Sequence, residues 1–266
     1  MLKDITLGQY FPGNSIAHKL DPRTKILLVT LYIIALFSAK GWMGYAVMAV
    51  TLAACVKVSH VGLRALVRGL KPLVFIIAFT GILNMFFTPD THYLWEWGIL
   101  RVSVKGIENA LFMVIRIMLL VMGTFLMTYT TSPIRLTDGL ESLLNPLKKI
   151  HVPVHELAMM MSIALRFIPT LIEETDKIMS AQKARGADFD SGNIFQKAKA
   201  LVPILVPLFI SAFRRADELA TAMECRCYHG GEGRTKLHVL KYQRRDYVAL
   251  AGGVVILALV VVLRRL

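Results

Sequence analysis

Residues 117–134 have the sequence IMLLVMGTFLMTYTTSPI, which is 18 residues without a charged side chain. A helix needs roughly 20 apolar residues to cross the ~30 Å hydrocarbon core of a bilayer, so this stretch predicts a transmembrane helix. The same argument applies to residues 72–88 and 247–263, each of which is 17 residues long and uncharged. A longer apolar run, 26–56, is interrupted at Lys40 and predicts two helices joined by a tight turn.

Hydrophobic residues make up 55% of the 266-residue chain, which is typical of an integral membrane protein rather than a soluble domain. We therefore predict an all-α integral membrane protein with about five transmembrane helices and a cytoplasmic coupling domain of long kinked helices. The predicted spans lie near residues 24–40, 42–58, 72–88, 107–131 and 246–264. The predicted domains are a membrane domain with four transmembrane helices at 1–131, a cytoplasmic coupling-helix domain at 132–245, and a C-terminal transmembrane helix at 246–266.

The net charge of +13 is unevenly distributed along the chain. With Lys25 and Lys57 counted at the edges of their spans, the segments before the first span, between spans two and three, and between spans four and five hold 4, 4 and 17 Lys or Arg residues. By the positive-inside rule, the N-terminus and residues 132–245 face the cytoplasm, and the C-terminus lies outside the cell. Basic segments next to the bilayer contact anionic lipid, so the excess charge does not require a nucleic acid partner.

Residues 132–245 are too many for a simple loop. We predict two long helices there, near 154–185 and 194–228, and a shorter one near 135–149. Each long helix contains or adjoins proline and has an apolar first half and a charged second half. We expect the apolar halves to lie against the membrane or another membrane protein. The candidate contact residues are Met159, Met160, Met161, Pro203 and Pro207; ordinary packing is an equally good explanation for the methionines.

A short pattern occurs twice in this region, 41 positions apart. Residues 176–186 (DKIMSAQKARG) align with residues 217–227 (DELATAMECRC). Both copies have an acid nine residues before an Arg, and both have the composition of a helix end. We expect Gly186 to stop the first helix and Gly230-Gly231 to stop the second. An Arg in a last turn can simply complement the helix dipole, but its repetition favours two matching docking points on a partner.

Motifs for catalysis are weak in this sequence. No GxxxxGK[ST] phosphate loop is present, so we do not expect the chain to hydrolyse ATP itself. Cys225, Cys227 and His229 have a spacing that could bind metal, but no fourth ligand is evident. A membrane enzyme would need candidates such as His151, His155, Asp188 and Asp190, which show no motif spacing. An ordinary secondary transporter would normally have more spans and charged residues at mid-membrane.

The sequence resembles the transmembrane, or T, component of energy-coupling factor importers, which are prokaryotic ABC transporters of vitamins. The resemblance covers nearly the whole chain. It rests on five spans and on four motifs in order: Pro12-Gly13-Asn14-Ser15, His18-Lys19-Leu20-Asp21-Pro22-Arg23-Thr24-Lys25, Ala184-Arg185-Gly186 and Ala222-Met223-Glu224-Cys225-Arg226-Cys227. The permease subunit of cobalt and nickel importers shares this architecture and remains an alternative.

The resemblance implies a non-catalytic subunit that links two ABC-type ATPases to a membrane-embedded, substrate-binding S component. It implies no cofactor on this chain, with ATP and Mg²⁺ on the partner ATPases. The implied ATPase-docking residues are Ala184, Arg185, Gly186, Cys225, Arg226 and Cys227. The second motif departs from Ala-Arg-Gly by having Cys on both sides of its Arg, which leaves the packing around Arg226 open.

Overall fold

A computed structural model of the chain describes residues 10–88, 93–97, 100–187, 189, 193–231 and 239–265. These residues form two compact units. One lies within Leu143–Val239, and the other combines Gly8–Ser142 with Leu240–Leu266. The last helix of the chain therefore belongs to the same unit as the first helices.

The larger unit contains helices from both ends of the chain. Its elements are α1 (Ile16–Lys19), α2 (Pro22–Ser38), α3 (Gly41–Ser59), α4 (Leu63–Leu70), a 3₁₀ turn (Lys71–Leu73), α5 (Val74–Phe87), β1 (Tyr93–Trp97), β2 (Leu100–Ser103), α6 (Val104–Thr130), α7 (Pro133–Leu144) and α10 (Arg244–Arg265). The smaller unit contains a 3₁₀ turn (Asn145–Ile150), α8 (Val154–Ala184) and α9 (Ile194–Cys225). β1 and β2 form a small antiparallel hairpin in an otherwise helical structure.

Five helical runs in the described residues are long and apolar enough to cross a membrane: α3, Leu63–Phe87, α6, α8 and α10. This confirms the all-α membrane fold class, and four of these runs coincide with predicted spans. The set of five differs from the predicted set in two helices. α2 has 17 residues and is shorter than a typical span, whereas α8 qualifies although the sequence placed it in the coupling domain.

The core of the larger unit lies between α2, α3, α6 and α10. α5 packs along α6, and α10 packs along α2. Leu36, Met48 and Val260 have no exposed surface there, and Leu119 and Tyr129 of α6 are also buried. The remaining apolar side chains of these helices are largely exposed, as expected where lipid replaces water as the solvent.

The N-terminal motif begins α2 and joins it to α10. Asp21 is the N-cap of α2, its carboxylate accepts from the Arg23 N–H at 2.9 Å, and Pro22 is the first helical residue. Asp at the N-cap and Pro at the first helical position are typical of a helix start. The Asp21 N–H in turn donates to Asp246 Oδ1 at 2.9 Å, and the Gln243 N–H donates to Asp246 Oδ2 at 2.8 Å. Asp246 is 1% exposed, so a buried carboxylate fastens the start of α2 to the start of α10.

Lys25 joins the same motif to the end of α6. Its Nζ donates to the Thr130 carbonyl at 2.8 Å and to Thr131 Oγ1 at 3.1 Å. The ring of His18 connects Ser15 Oγ, 2.6 Å from Nδ1, with the Phe11 carbonyl, 3.0 Å from Nε2. Buried polar groups need such partners, so the polar N-terminal motif is part of the folded core of this unit.

The boundary between the two units follows Ser142, eleven residues later than the predicted domain line at 131. α7 belongs with the first helices because Gly139 packs closely against Pro22 and Arg23 Nη1 donates to Ser142 Oγ at 3.1 Å. Arg23 also lies 4.2 Å from the ring centre of Tyr242. The cytoplasmic or membrane location of each predicted domain stays a prediction.

Arg116 of α6 is held inside the unit. Its Nε and Nη2 donate to the Tyr45 hydroxyl at 2.9 and 2.6 Å, and its guanidinium lies 5.7 Å from the ring centre of Phe37. A charged group in an apolar setting is stabilised by such hydrogen bonds and aromatic contacts.

Candidate functional site

The first helix end is built by α8, whose bounds agree with the predicted helix at 154–185. Arg185 is its C-cap residue, and Gly186 follows with φ +89°. The Gly186 N–H donates to the Lys183 carbonyl at 3.0 Å, and the Ala187 N–H donates to the Gln182 carbonyl at 3.0 Å. This pair of hydrogen bonds is the Schellman motif, which requires a left-handed residue after the cap.

The second helix end repeats this geometry on α9. Arg226 is the C-cap residue, and Cys227 follows with φ +54°. The Cys227 N–H donates to the Glu224 carbonyl at 2.9 Å, and the Tyr228 N–H donates to the Met223 carbonyl at 3.0 Å. The sequence pattern that occurs twice, 41 positions apart, therefore corresponds to two copies of one backbone structure.

The expectation that Gly230-Gly231 stops the second helix was wrong. The helix ends earlier, because Cys227 itself takes the left-handed conformation that Gly186 takes in the first copy. A residue with a Cβ rarely occupies that region. α9 consequently ends at Cys225, three residues before the predicted end at 228.

Both helix ends are open to solvent. Among the residues that the structure describes, the side chains of Arg185 and Arg226 have no hydrogen bond or ion pair. The exposed residues of the two ends are Ala184, Arg185, Gly186, Cys225, Arg226 and Cys227. Each guanidinium therefore keeps its five donors available for a partner.

A polar contact joins α8 to α9 in their middle. Glu174 Oε1 accepts from the Ser211 hydroxyl, and Glu174 Oε2 accepts from Arg215 Nη2 at 2.7 Å. Both members of this ion pair are partly exposed, so solvent screens their attraction. The contact defines the crossing point of the two helices.

The crossing contact connects equivalent positions of the two repeats. Arg215 follows Glu174 by 41 residues, the same interval that separates Arg226 from Arg185. Contact between equivalent positions is what an approximate twofold relation between two helices produces. Each Arg lies 11 residues after its own member of the pair, a distance of about 16 Å along the helix axis.

The two ends face in opposite directions. Gln182 Nε2 donates to the Pro203 carbonyl at 3.4 Å. Compared with the Glu174–Arg215 contact, this one lies later in α8 and earlier in α9, so the two helices run antiparallel. The same antiparallel arrangement places Gly231, after the end of α9, against the ring of His155 near the start of α8. The structure thus presents two matching guanidinium groups at opposite ends of one helix pair.

An apolar surface lies on the same two helices. Met160 and Met161 are 55% and 45% exposed, Pro203 is exposed, and Met159 and Pro207 are partly buried. Sequence reasoning predicted an apolar first half for this helix but named only Pro203 and Pro207, so it missed most of the exposed apolar surface of α9. That surface is formed by Leu201, Val202, Leu205, Val206, Phe209, Ile210 and Phe213.

α8 and α9 continue as unbroken α-helices through their internal prolines, Pro169, Pro203 and Pro207. Proline in a helix interior removes one backbone hydrogen bond and favours a bend. The predicted kinks stay predictions, whereas the presence of both long helices is confirmed. The shorter helix predicted near 135–149 corresponds to α7 and the 3₁₀ turn after it.

Comparison with known proteins gives consistent matches over this whole architecture. The sequence model of the CbiQ family, described as cobalt transport protein, matches residues 13–237. The energy-coupling factor transporter transmembrane protein EcfT of Ruminiclostridium cellulolyticum is 52% identical over 263 residues, which cover 99% of this chain and 98% of that protein. The protein of the same name from Bacillus subtilis is 47% identical over 264 residues, which cover 99% of this chain and 100% of that protein. This chain belongs to the family of energy-coupling factor transporter transmembrane proteins.

Membership in the energy-coupling factor family settles three broader questions. The protein is a multi-pass membrane protein, it is a transporter subunit, and it works in a complex with other subunits. The family confirms the resemblance drawn from the sequence motifs. It also favours a transporter subunit over the membrane-enzyme alternative, whose candidates Asp188 and Asp190 lie outside the described residues. The roles of the individual docking residues remain predictions.

Proposed function

We propose that this chain couples two cytoplasmic ABC-type ATPases to a membrane-embedded S component that binds a vitamin or another micronutrient. The observation that carries the proposal is the pair of equivalent helix ends, each with an exposed Arg at the cap. Two equivalent ends suit two equivalent binding grooves. ATP and Mg²⁺ are held by the ATPases, and this chain holds no cofactor.

Each Arg enters a groove on one ATPase and meets carboxylates there. A guanidinium forms bidentate, charge-assisted hydrogen bonds with carboxylates, and it keeps its charge when it is partly desolvated. Ala184 and Gly186 leave room for close approach at the first end. At the second end the neighbours are Cys225 and Cys227, which are also small.

The crossing contact transmits the motion of the ATPases. When ATP draws the two ATPases together, the two helix ends move relative to each other about Glu174, Ser211 and Arg215. The exposed apolar side chains of α8 and α9 contact the S component, and we assign this contact to Met159, Met160, Met161, Pro203 and Pro207 together with the exposed surface of α9. In this arrangement residues 132–245 and the N-terminus face the cytoplasm, and the C-terminus lies outside.

An importer of cobalt or nickel is the second candidate. The description of the matching family model, cobalt transport protein, favours it. The relatives with high identity over nearly the full chain carry the energy-coupling factor name instead, which supports the first candidate.

The test is recovery of partners with tagged full-length chain from native membranes in mild detergent. The Arg185→Glu, Arg226→Glu double variant should lose the ATPases, because each reversed charge repels the carboxylates of its groove. Arg214→Glu is the matched control, since Arg214 is an exposed Arg of α9 outside the two ends. A Phe209→Asp variant should keep the ATPases and lose the S component. If the double variant recovers as much ATPase as wild type does, the proposal is wrong.

A further inference from the structure

A groove of about 650 Å³ runs along the outside of the larger unit, between α1, α2, α3, α6 and α10. Its walls are apolar and include Leu28, Leu31, Val58 and Ile256. It is distinct from the two helix ends and from the exposed surface of α8 and α9, which belong to the other unit. We propose that this groove binds one anionic phospholipid, with an acyl chain along the groove and the head group at its charged end.

The length of the groove fits one acyl chain. The α10 residues that line it extend from Arg244 to Ile256. Twelve residues of helix correspond to about 18 Å, slightly more than half of a ~30 Å hydrocarbon core. This length matches the depth of one leaflet, which is what the proposed acyl chain requires.

The charge at one end favours an anionic head group. Arg244 and Arg245 line that end and are both exposed, and Lys25 lies beside them. Lys25 donates to the neutral oxygens of Thr130 and Thr131. No carboxylate belongs to the described residues that line the groove. Basic side chains next to the bilayer are attracted to the anionic lipids of the cytoplasmic leaflet.

One residue of the groove wall, Gly252, has free space beside it where a side chain would fit. A Cβ built on Gly252 would meet no atom within 4 Å, whereas one built on the neighbouring Gly253 would meet Leu28 at 2.7 Å. A larger side chain at Gly252 therefore projects into the groove without disturbing the contact of α10 with α2. This position allows the acyl-chain part of the site to be filled separately from its charged end.

The experiment is native mass spectrometry of the full-length chain in detergent, titrated with phosphatidylglycerol or with phosphatidylcholine of the same acyl chains. We expect wild type to bind phosphatidylglycerol more tightly. Arg244→Gln, Arg245→Gln should weaken phosphatidylglycerol binding roughly 10- to 30-fold and leave phosphatidylcholine nearly unchanged. The matched control is Arg264→Gln, Arg265→Gln, which removes the same charges from the other end of α10. Gly252→Leu should weaken binding of both lipids.

Equal binding of the two lipids by wild type would overturn the proposal, as would a Gly252→Leu variant that binds both lipids normally. Equal losses in the Arg244, Arg245 variant and in the Arg264, Arg265 control would also overturn it, because the charge effect would not be local to the groove. If Gly252→Leu instead releases a co-purified membrane protein while lipid binding is unchanged, the occupant is a protein and the lipid proposal is wrong.

Discussion

Arg185 and Arg226 are the C-cap residues of their helices. The residue after each Arg is left-handed, and this ends the helix there. Gly186 adopts this conformation at little steric cost, whereas Cys227 must accommodate a Cβ. The two ends therefore share one geometry but differ in the intrinsic cost of holding it.

The difference between Gly186 and Cys227 leads to a pair of predictions of opposite sign. Gly186→Ala should destabilise the first helix end by about 1–2 kcal/mol, and Cys227→Gly should stabilise the second, because the left-handed conformation disfavours a Cβ. Nothing lies within 4 Å of a Cβ at Gly186, so the effect comes from the backbone. Hydrogen exchange should become roughly tenfold faster at the Ala187 amide and slower at the Tyr228 amide. Changes of the same sign at both amides would contradict this account.

The crossing contact of α8 and α9 lies at the same sequence distance from both helix ends. The Glu174–Arg215 contact joins equivalent positions of the repeat, so both ends lie the same number of residues from it. A motion that rotates the helices about this contact moves both ends by similar amounts. The approximate symmetry of the helix pair thus matches a pair of similar partners.

Glu174→Arg should loosen the crossing, because it places like charges opposite each other, and the Glu174→Arg, Arg215→Glu exchange should restore it. The expected energy is about 1 kcal/mol or less for this partly exposed pair. The measurement is the distance between spin labels at Cys225 and at Ala184→Cys, its equivalent position, with Cys55 and Cys227 replaced by Ser. The labelled protein with Glu174 and Arg215 intact should give one narrow distance distribution at about 30 Å or less. Glu174→Arg should give a broader distribution, and the Glu174→Arg, Arg215→Glu exchange should give a narrow one again. A broad distribution in the exchange variant would show that the ion pair does not hold the crossing.

At the scale of the whole molecule, a buried polar network joins distant parts of the chain. Asp246 accepts hydrogen bonds near the start of α10 from a backbone N–H that lies 225 residues earlier. Lys25 ties the start of α2 to the end of α6. These contacts close the larger unit around its apolar core, although the smaller unit lies between its two parts in the sequence.

Asp246→Ala should destabilise the chain strongly. It leaves the N–H groups of Asp21 and Gln243 without their acceptor. The Asp21 N–H is the buried one of the two, and an unpaired buried donor costs about 1–3 kcal/mol. Asp246→Asn keeps one carbonyl acceptor and should have a smaller effect. The melting temperature in detergent, measured by size-exclusion chromatography after heating, should be highest for wild type, lower for Asp246→Asn and lowest for Asp246→Ala. The exposed Asp217→Ala is the control, and equal melting temperatures for it and Asp246→Ala would refute the network.

The sequence by itself determined the features that depend on neighbouring residues. Apolar runs predicted the membrane class, and the pattern that occurs twice, 41 positions apart, predicted two similar helix ends. Each of these depends on hydrophobicity, capping or helix propensity over a short window. The end of α9 was misplaced because Gly230-Gly231 offered a stronger stop signal than Cys227, whose left-handed conformation is unusual for its residue type.

Only the tertiary structure decided which distant groups meet. The Glu174–Arg215 contact, the opposite directions of the two helix ends, the burial of Asp246 and the groove beside Gly252 all depend on how helices pack. No local pattern specifies such pairings, because a helix can present the same apolar and charged side chains to many neighbours. Packing selects one arrangement, since buried polar groups must find partners and apolar surfaces must fit together.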